Sequence, residues 1–81
     1  VHSERSPAEE RAAGPRLYGM QTWLALPDGK EEIDPAFDHV TADGLPLVEA
    51  SGVAARVLMG RLWGAEAATP CHSPTIYADL L

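Results

Sequence analysis

The sequence predicts an all-β fold built as an antiparallel sandwich or barrel. Short apolar segments follow one another at close spacing, and Gly and Pro residues separate them, which is the pattern of such folds. Of the 81 residues, 46% are hydrophobic and 22% are charged. This composition is too apolar for a disordered chain, and the length allows at most one small domain with a thin core.

The stretch "RLYGMQTWLALP" at residues 16–27 is the clearest predicted strand. Both alternating sets of its side chains are largely apolar, as in a strand covered on both faces, although the period alone also fits a buried helix. The Trp, Tyr, Thr and internal Gly residues favour the strand. A turn at Pro27, Asp28 and Gly29 is expected to end it, because Pro presets φ and Gly accepts a positive φ.

The other predicted elements are shorter. "SPAEERAAG" predicts a helical turn with Ser6 as the N-cap, Pro7 at the first helical position and Glu9 at the third. Residues 30–46 show no sustained period, which indicates a surface connection. "LVEA", "VAARVLMG" and "TIYADLL" predict strands, "SG" predicts a turn between the first two, and "GRLWGAEAATPCHSP" predicts an irregular, turn-rich segment.

The charge of the chain argues against two classes of partner, and its cysteine content excludes an intrachain disulfide. Six basic residues against twelve acidic residues give a net charge of -6, which attracts neither a nucleic-acid backbone nor an anionic membrane. The single cysteine, Cys71, excludes an intrachain disulfide. The sequence shows no long apolar run and no leader, so a cytoplasmic location is expected.

The opening "HSE" carries the most distinctive chemistry. In an extended segment, residues two apart project from the same face, so His2 and Glu4 would point together. An imidazole with a carboxylate suits Fe(II) and similar divalent metals, but two ligands make only part of a site. The same short pattern also fits two polar residues at a frayed terminus.

Five segments in order, "VHSERSP", "LYGMQTWLALP", "DPAF", "ARVLMGRLWG" and "SPTIYADLL", resemble the pirin family over essentially the whole chain. The resemblance implies a bicupin, in which two antiparallel β-barrel domains of the cupin type pack together and the N-terminal barrel holds one non-haem iron. It also implies that an upstream His-x-His pair and a downstream His-x-Glu pair hold the metal. His2 and Glu4 match the downstream pair.

The resemblance implies boundaries as well. Residues 1–29 would end the N-terminal cupin barrel, residues 30–46 would connect the domains, and residues 47–81 would begin the C-terminal cupin barrel. We expect the upstream His-x-His pair to precede Val1 in a longer protein, which agrees with the missing methionine and the unfinished last strand.

Two functions follow from the resemblance. The first is an iron-dependent quercetin 2,3-dioxygenase, with a flavonol-like small molecule as substrate, His2 as a metal ligand, and Glu4 as both a metal ligand and the catalytic acceptor of the substrate hydroxyl's proton. The second is a metal-dependent transcriptional co-regulator or interaction module that binds a regulatory protein without catalysis. A third hypothesis gives the isolated 81 residues no activity and little or no iron binding.

Several other residues are interpreted structurally. Tyr18 and Trp23 are predicted to be core residues rather than the wall of a flavonol pocket, and Trp63 is predicted to pack beside its glycines. For Gln21 the plain structural role is favoured, with a hydrogen bond to a metal ligand as the alternative.

The remaining metal-binding residue types are assigned no site. Cys71 and His72 lie between prolines, without a second cysteine at a useful spacing, so they are predicted to be structural or incidental. His39, beside Asp38 in the acidic connection, is predicted to be solvated.

Overall fold

The computed structural model describes residues 3–81. It contains one short helix, one 3₁₀ turn and five strands. In chain order these are α1 (Ala8–Ala13), the 3₁₀ turn (Ala42–Gly44), β1 (Leu47–Ala50), β2 (Val53–Met59), β3 (Arg61–Leu62), β4 (Ala65–Glu66) and β5 (Tyr77–Leu80). No helix among residues 3–81 has the length and apolar character needed to cross a membrane.

The centre of the fold is a three-stranded antiparallel sheet in the order β1-β2-β5. Ala55 and Val57 on β2 are fully buried. Alternate residues of a strand face the same side of the sheet, so both side chains lie on one buried face of β2. The ladder between β2 and β5 shifts register between Val57 and Met59. The predicted antiparallel all-β class and the three predicted strands of the second half are therefore confirmed.

The turn between β1 and β2 explains why these strands pair. Ser51 and Gly52 both have positive φ, at 52° and 80°. Two consecutive positive φ values in a two-residue loop match the right-handed twist of the flanking strands. The turn predicted at "SG" is therefore confirmed.

A second hairpin, β3-β4, lies in the segment predicted to be irregular. Its loop residues, Trp63 and Gly64, have φ values of 48° and 82°. Arg61 and Glu66 are paired across the hairpin, with Nη2 and Oε2 3.0 Å apart. A turn in this segment was predicted, but the pairing of β3 with β4 was not, because each strand has only two residues and gives no alternating pattern.

Residues 17–26 form no strand or helix. Leu17, Tyr18, Met20 and Trp23 are 83%, 106%, 83% and 77% exposed. The predicted two-faced strand is therefore wrong for the described chain, because no strand of residues 3–81 pairs with this segment. The turn after it is confirmed, since the Lys30 amide donates to the Pro27 carbonyl at 3.1 Å.

The predicted N-terminal helix exists but begins differently. Helix α1 starts at Ala8, Pro7 occupies the N-cap, and no side chain caps the helix. The predicted helix therefore begins one residue too early: Ser6 is not the N-cap, Pro7 is not the first helical residue, and Glu9 is the second helical residue rather than the third. Gly14 ends the helix in the left-handed conformation with φ of 65°.

Hydrogen bonds from Thr22 and Lys30 connect residues 22–30 to β5 and to the loop before it. The Thr22 hydroxyl donates to the Tyr77 hydroxyl at 3.1 Å, and Lys30 Nζ donates to the His72 carbonyl at 2.9 Å. These contacts place residues 22–30 beside β5 and the loop before it.

Candidate metal-ligand site

Glu4 lies in an irregular, exposed segment before helix α1, and its carboxylate has a partner far along the chain. Gln21 Nε2 donates a hydrogen bond to Glu4 Oε1 at 3.0 Å. The two residues are 17 positions apart. The fold, rather than local chain geometry, brings the amide to the carboxylate.

The Gln21 amide is held at its other end as well. Trp23 Nε1 donates to Gln21 Oε1 at 3.3 Å. An indole N–H can only donate, so it must face the amide oxygen, and this directs the amide nitrogen to Glu4. Trp23, Gln21 and Glu4 are thus connected by two consecutive hydrogen bonds.

The structure bears on three predictions. Both ends of the Gln21 amide bind side chains, one of them the predicted ligand Glu4, so the choice between a plain structural role for Gln21 and a contact with a metal ligand depends on whether Glu4 binds a metal. Trp23 and Tyr18 are not core residues, as both side chains are largely exposed. Trp63 is 46% exposed and lies in the β3-β4 turn.

The predicted pair of His2 and Glu4 is only half described, because His2 lies outside residues 3–81. The common orientation of the two side chains therefore stays a prediction. The carboxylate of Glu4 is a hard oxygen donor of the kind that divalent metals bind, and Gln21 restrains it. Within residues 3–81, however, no group of three or more His, Cys, Asp and Glu could hold a metal ion. The donor chemistry of Glu4 fits a metal, and a complete site needs further donors.

The other metal-binding residue types lie apart from Glu4. Cys71 is exposed and forms no disulfide, with Sγ 3.7 Å from the Thr69 carbonyl oxygen. His72 and His39 are both exposed. The assignment of Cys71 and His72 as structural or incidental, and of His39 as solvated, stays a prediction.

A surface depression among the described residues is adjacent to this site. A depression of about 240 Å³ is lined by Gln21, Thr22, Trp23 and Leu24. It shares Gln21 with the contact to Glu4. Two larger clefts do not include Glu4. One, of about 550 Å³, is lined mainly by the loop between β4 and β5, and the other, of about 650 Å³, is lined mainly by residues 33–38 together with part of that loop.

Comparison with curated proteins gives matches along nearly the whole chain. A "Pirin-like protein" of Caulobacter vibrioides is 44% identical over 78 residues, which cover 95% of this chain. The chain belongs to the pirin family. A Pseudomonas aeruginosa protein named "Putative quercetin 2,3-dioxygenase" is 39% identical over 80 residues, and human "Pirin" is 25% identical over 79 residues. The resemblance found in the sequence motifs is therefore confirmed.

The chain matches only part of each relative. The chain spans about a quarter of the length of these pirin relatives, at 27%, 24% and 26% of each. No protein-family model matches it. No solved structure matches it either. The antiparallel strands agree with the cupin-type fold that pirin membership implies, while the domain boundaries at residues 29–30 and 46–47 stay predictions.

Proposed function

We propose that this chain is a segment of a metal-binding pirin-type cupin and that it supplies two of the metal ligands, His2 and Glu4. The observation that supports this most is the contact of Gln21 with Glu4, because it restrains the one predicted ligand that the structure describes. Carboxylates that bind metals are commonly hydrogen-bonded by residues around them, which fixes their direction.

The proposal extends to the kind of metal and reaction. An imidazole and a carboxylate together suit Fe(II), which supplies the redox chemistry for dioxygen when it is bound. The name of the Pseudomonas aeruginosa relative supports quercetin 2,3-dioxygenation as the reaction. In that reaction Glu4 acts as a ligand and accepts the proton of a substrate hydroxyl, whereas His2 acts as a ligand only.

The remaining ligands would come from outside these 81 residues. The described residues hold no three-donor cluster, and the relatives are about four times longer than the chain. The proposed metal centre therefore belongs to a complete protein of the relatives' length, called the complete protein below.

The experiment is a turnover assay on the complete protein. Metal-free protein is loaded with Fe(II) without oxygen, mixed with quercetin, and then exposed to air while the flavonol absorbance is followed. We expect the absorbance to fall at a rate proportional to the iron content. Glu4→Gln keeps the size of the side chain but removes its charge and its ability to accept a proton, so it should abolish turnover.

The matched control is Thr22→Val. Thr22 neighbours Gln21 and also makes a side-chain hydrogen bond, but that bond goes to Tyr77 and not to Glu4. This variant should turn over like the wild type. Stable flavonol absorbance with iron fully bound would contradict the enzymatic function and favour the regulatory alternative. Failure to bind any divalent metal would contradict the whole proposal.

A further inference from the structure

We propose that Gln21 is a positioning residue for the Glu4 carboxylate and that Trp23 sets the direction in which Gln21 acts. This inference rests on the proposed function, since it concerns the metal ligand Glu4. It deepens that function by adding two residues that lie outside the His-x-Glu pair.

The first step is the direction of the Gln21 amide. A glutamine amide can be turned by 180°, which exchanges its donor and acceptor ends. The Trp23 indole removes this freedom, because its N–H lies 3.3 Å from Oε1 and cannot accept a hydrogen bond. Nε2 is therefore the end that reaches Glu4.

The second step is what Nε2 does to Glu4. The NH₂ group can only donate, so Glu4 Oε1 accepts the hydrogen bond at 3.0 Å. A free glutamate side chain samples many rotamers, and a restrained one loses less entropy when it binds a metal. Gln21 thus holds the carboxylate in one region before the metal arrives.

The third step is where the restraint comes from. Glu4 precedes helix α1, whereas Gln21 and Trp23 follow it, so the contact closes a loop of 17 residues. The hydrogen bond from Thr22 to Tyr77 attaches the same segment to β5. The position of Glu4 therefore depends on its contact with Gln21, whereas the Thr22 hydroxyl bonds to Tyr77 and not to Glu4.

The test uses three variants of the complete protein. Gln21→Leu has a similar size and removes both hydrogen bonds of the amide. Trp23→Phe keeps an aromatic ring and removes only the indole donor. Thr22→Val is the matched control, because it removes a hydrogen bond from the same segment without touching Glu4.

Two quantities are measured. The dissociation constant for Fe(II) is obtained without oxygen by competition with a chelator, and the urea midpoint of unfolding is measured on the same samples. Gln21→Leu should weaken Fe(II) binding by roughly tenfold, as the loss of residues that orient ligands does. Trp23→Phe should weaken it less, and Thr22→Val should leave it unchanged. The exposed positions of Gln21 and Trp23 predict that their unfolding midpoints stay close to that of the wild type.

A third readout needs no metal. In the metal-free wild type, the Gln21 side-chain amide protons should give a nuclear Overhauser cross-peak to the Glu4 side chain. The cross-peak should weaken in Trp23→Phe, because the amide can then turn. A wild type without this cross-peak would overturn the inference.

The outcomes separate this inference from the function on which it rests. A wild type that binds Fe(II), together with a Gln21→Leu variant of equal affinity, overturns the role of Gln21 alone. A wild type that binds no divalent metal overturns the proposed function and, with it, the metal role of Gln21. A tenfold loss in Gln21→Leu with an unchanged Thr22→Val supports both.

Discussion

The hydroxyl of Thr22 donates a hydrogen bond to the hydroxyl of Tyr77 at 3.1 Å, across 55 positions of sequence. Thr22 belongs to the exposed segment that forms no strand, and Tyr77 begins β5. The contact thus links the segment that carries Gln21 and Trp23 to the central sheet. The attachment to the sheet and the geometry around Glu4 can be tested separately, because Thr22 bonds to Tyr77 whereas Gln21 bonds to Glu4.

The first prediction concerns this link. Thr22→Val and Tyr77→Phe each remove one hydroxyl, and the double variant removes both. Because the hydrogen bond is exposed, we expect a coupling free energy of only about 0.5–1 kcal/mol in a double-mutant cycle of urea denaturation. A coupling of zero would show that the two hydroxyls do not interact in solution.

The second prediction concerns the core. Val57 is fully buried, so Val57→Ala should lower the free energy of unfolding by about 2 kcal/mol through lost burial and the cavity left behind. Val53→Ala is the matched control, since Val53 lies on the same strand but is 37% exposed. It should cost clearly less. Equal losses in urea denaturation would contradict the assignment of Val57 to the core.

The third prediction compares two glycines with the same backbone conformation. Gly60 and Gly52 both have φ of 80°, but a Cβ on Gly60 would lie 1.9 Å from the Thr75 carbonyl oxygen, whereas one on Gly52 would meet nothing within 4 Å. Gly52→Ala should cost about 1–2 kcal/mol from backbone strain. Gly60→Ala should cost about 1–3 kcal/mol more, because backbone must move to make room. Thermal denaturation of both variants checks the difference, and equal melting temperatures would refute it.

The fourth prediction concerns pH. The Thr41 hydroxyl, by hydrogen bonding to the Asp43 carboxylate, lowers the pKa of Asp43 below its ordinary value of 3.8. The ionised form is therefore the favoured one in the fold. Its small stabilisation is present above pH 3.8 and is lost as the pH falls through the lowered pKa.

Substitution at Thr41 tests this cause. Thr41→Val should raise the pKa of Asp43 toward 3.8, and Thr41→Ser should preserve the lowered value because it keeps the hydroxyl. An NMR titration of the Asp43 side-chain carboxyl carbon measures both. The same pKa in all three proteins would remove Thr41 as the cause.

The fifth prediction concerns metal binding by the isolated 81-residue chain. No group of three or more donor residues within residues 3–81 could hold a metal, so a calorimetric titration with Fe(II) without oxygen should show weak binding or none. The complete protein, titrated in parallel, should bind one equivalent. Tight stoichiometric binding by the isolated chain would contradict the need for donors beyond it.

Sequence patterns were sufficient to predict the β1-β2 hairpin and helix α1. The strands β1 and β2 were predicted from alternating residues around "SG", and Ser51 and Gly52 adopt the positive φ values that such a loop requires. Helix α1 was also predicted, but its N-cap was not Ser6, because Pro7 took that place. Cap positions depend on local dihedral angles that composition does not specify.

Patterns failed where the outcome depends on neighbours. Alternation in residues 17–26 indicated a strand, but a strand exists only with a hydrogen-bonded partner, and none of the described residues provides one. The pairing of β3 with β4 was missed for another reason. Each of these strands has only two residues, which is too short to show an alternating pattern.

The sequence by itself determined the family and the antiparallel all-β class, and it supplied the prediction that Glu4 is a ligand, because these depend on residue types and their order along the chain. Only the tertiary structure decided that Gln21 binds Glu4 and that Trp23 fixes the Gln21 amide. Hydrogen bonds between side chains depend on distances and directions in space. A separation of 17 residues carries no such information until the chain has folded.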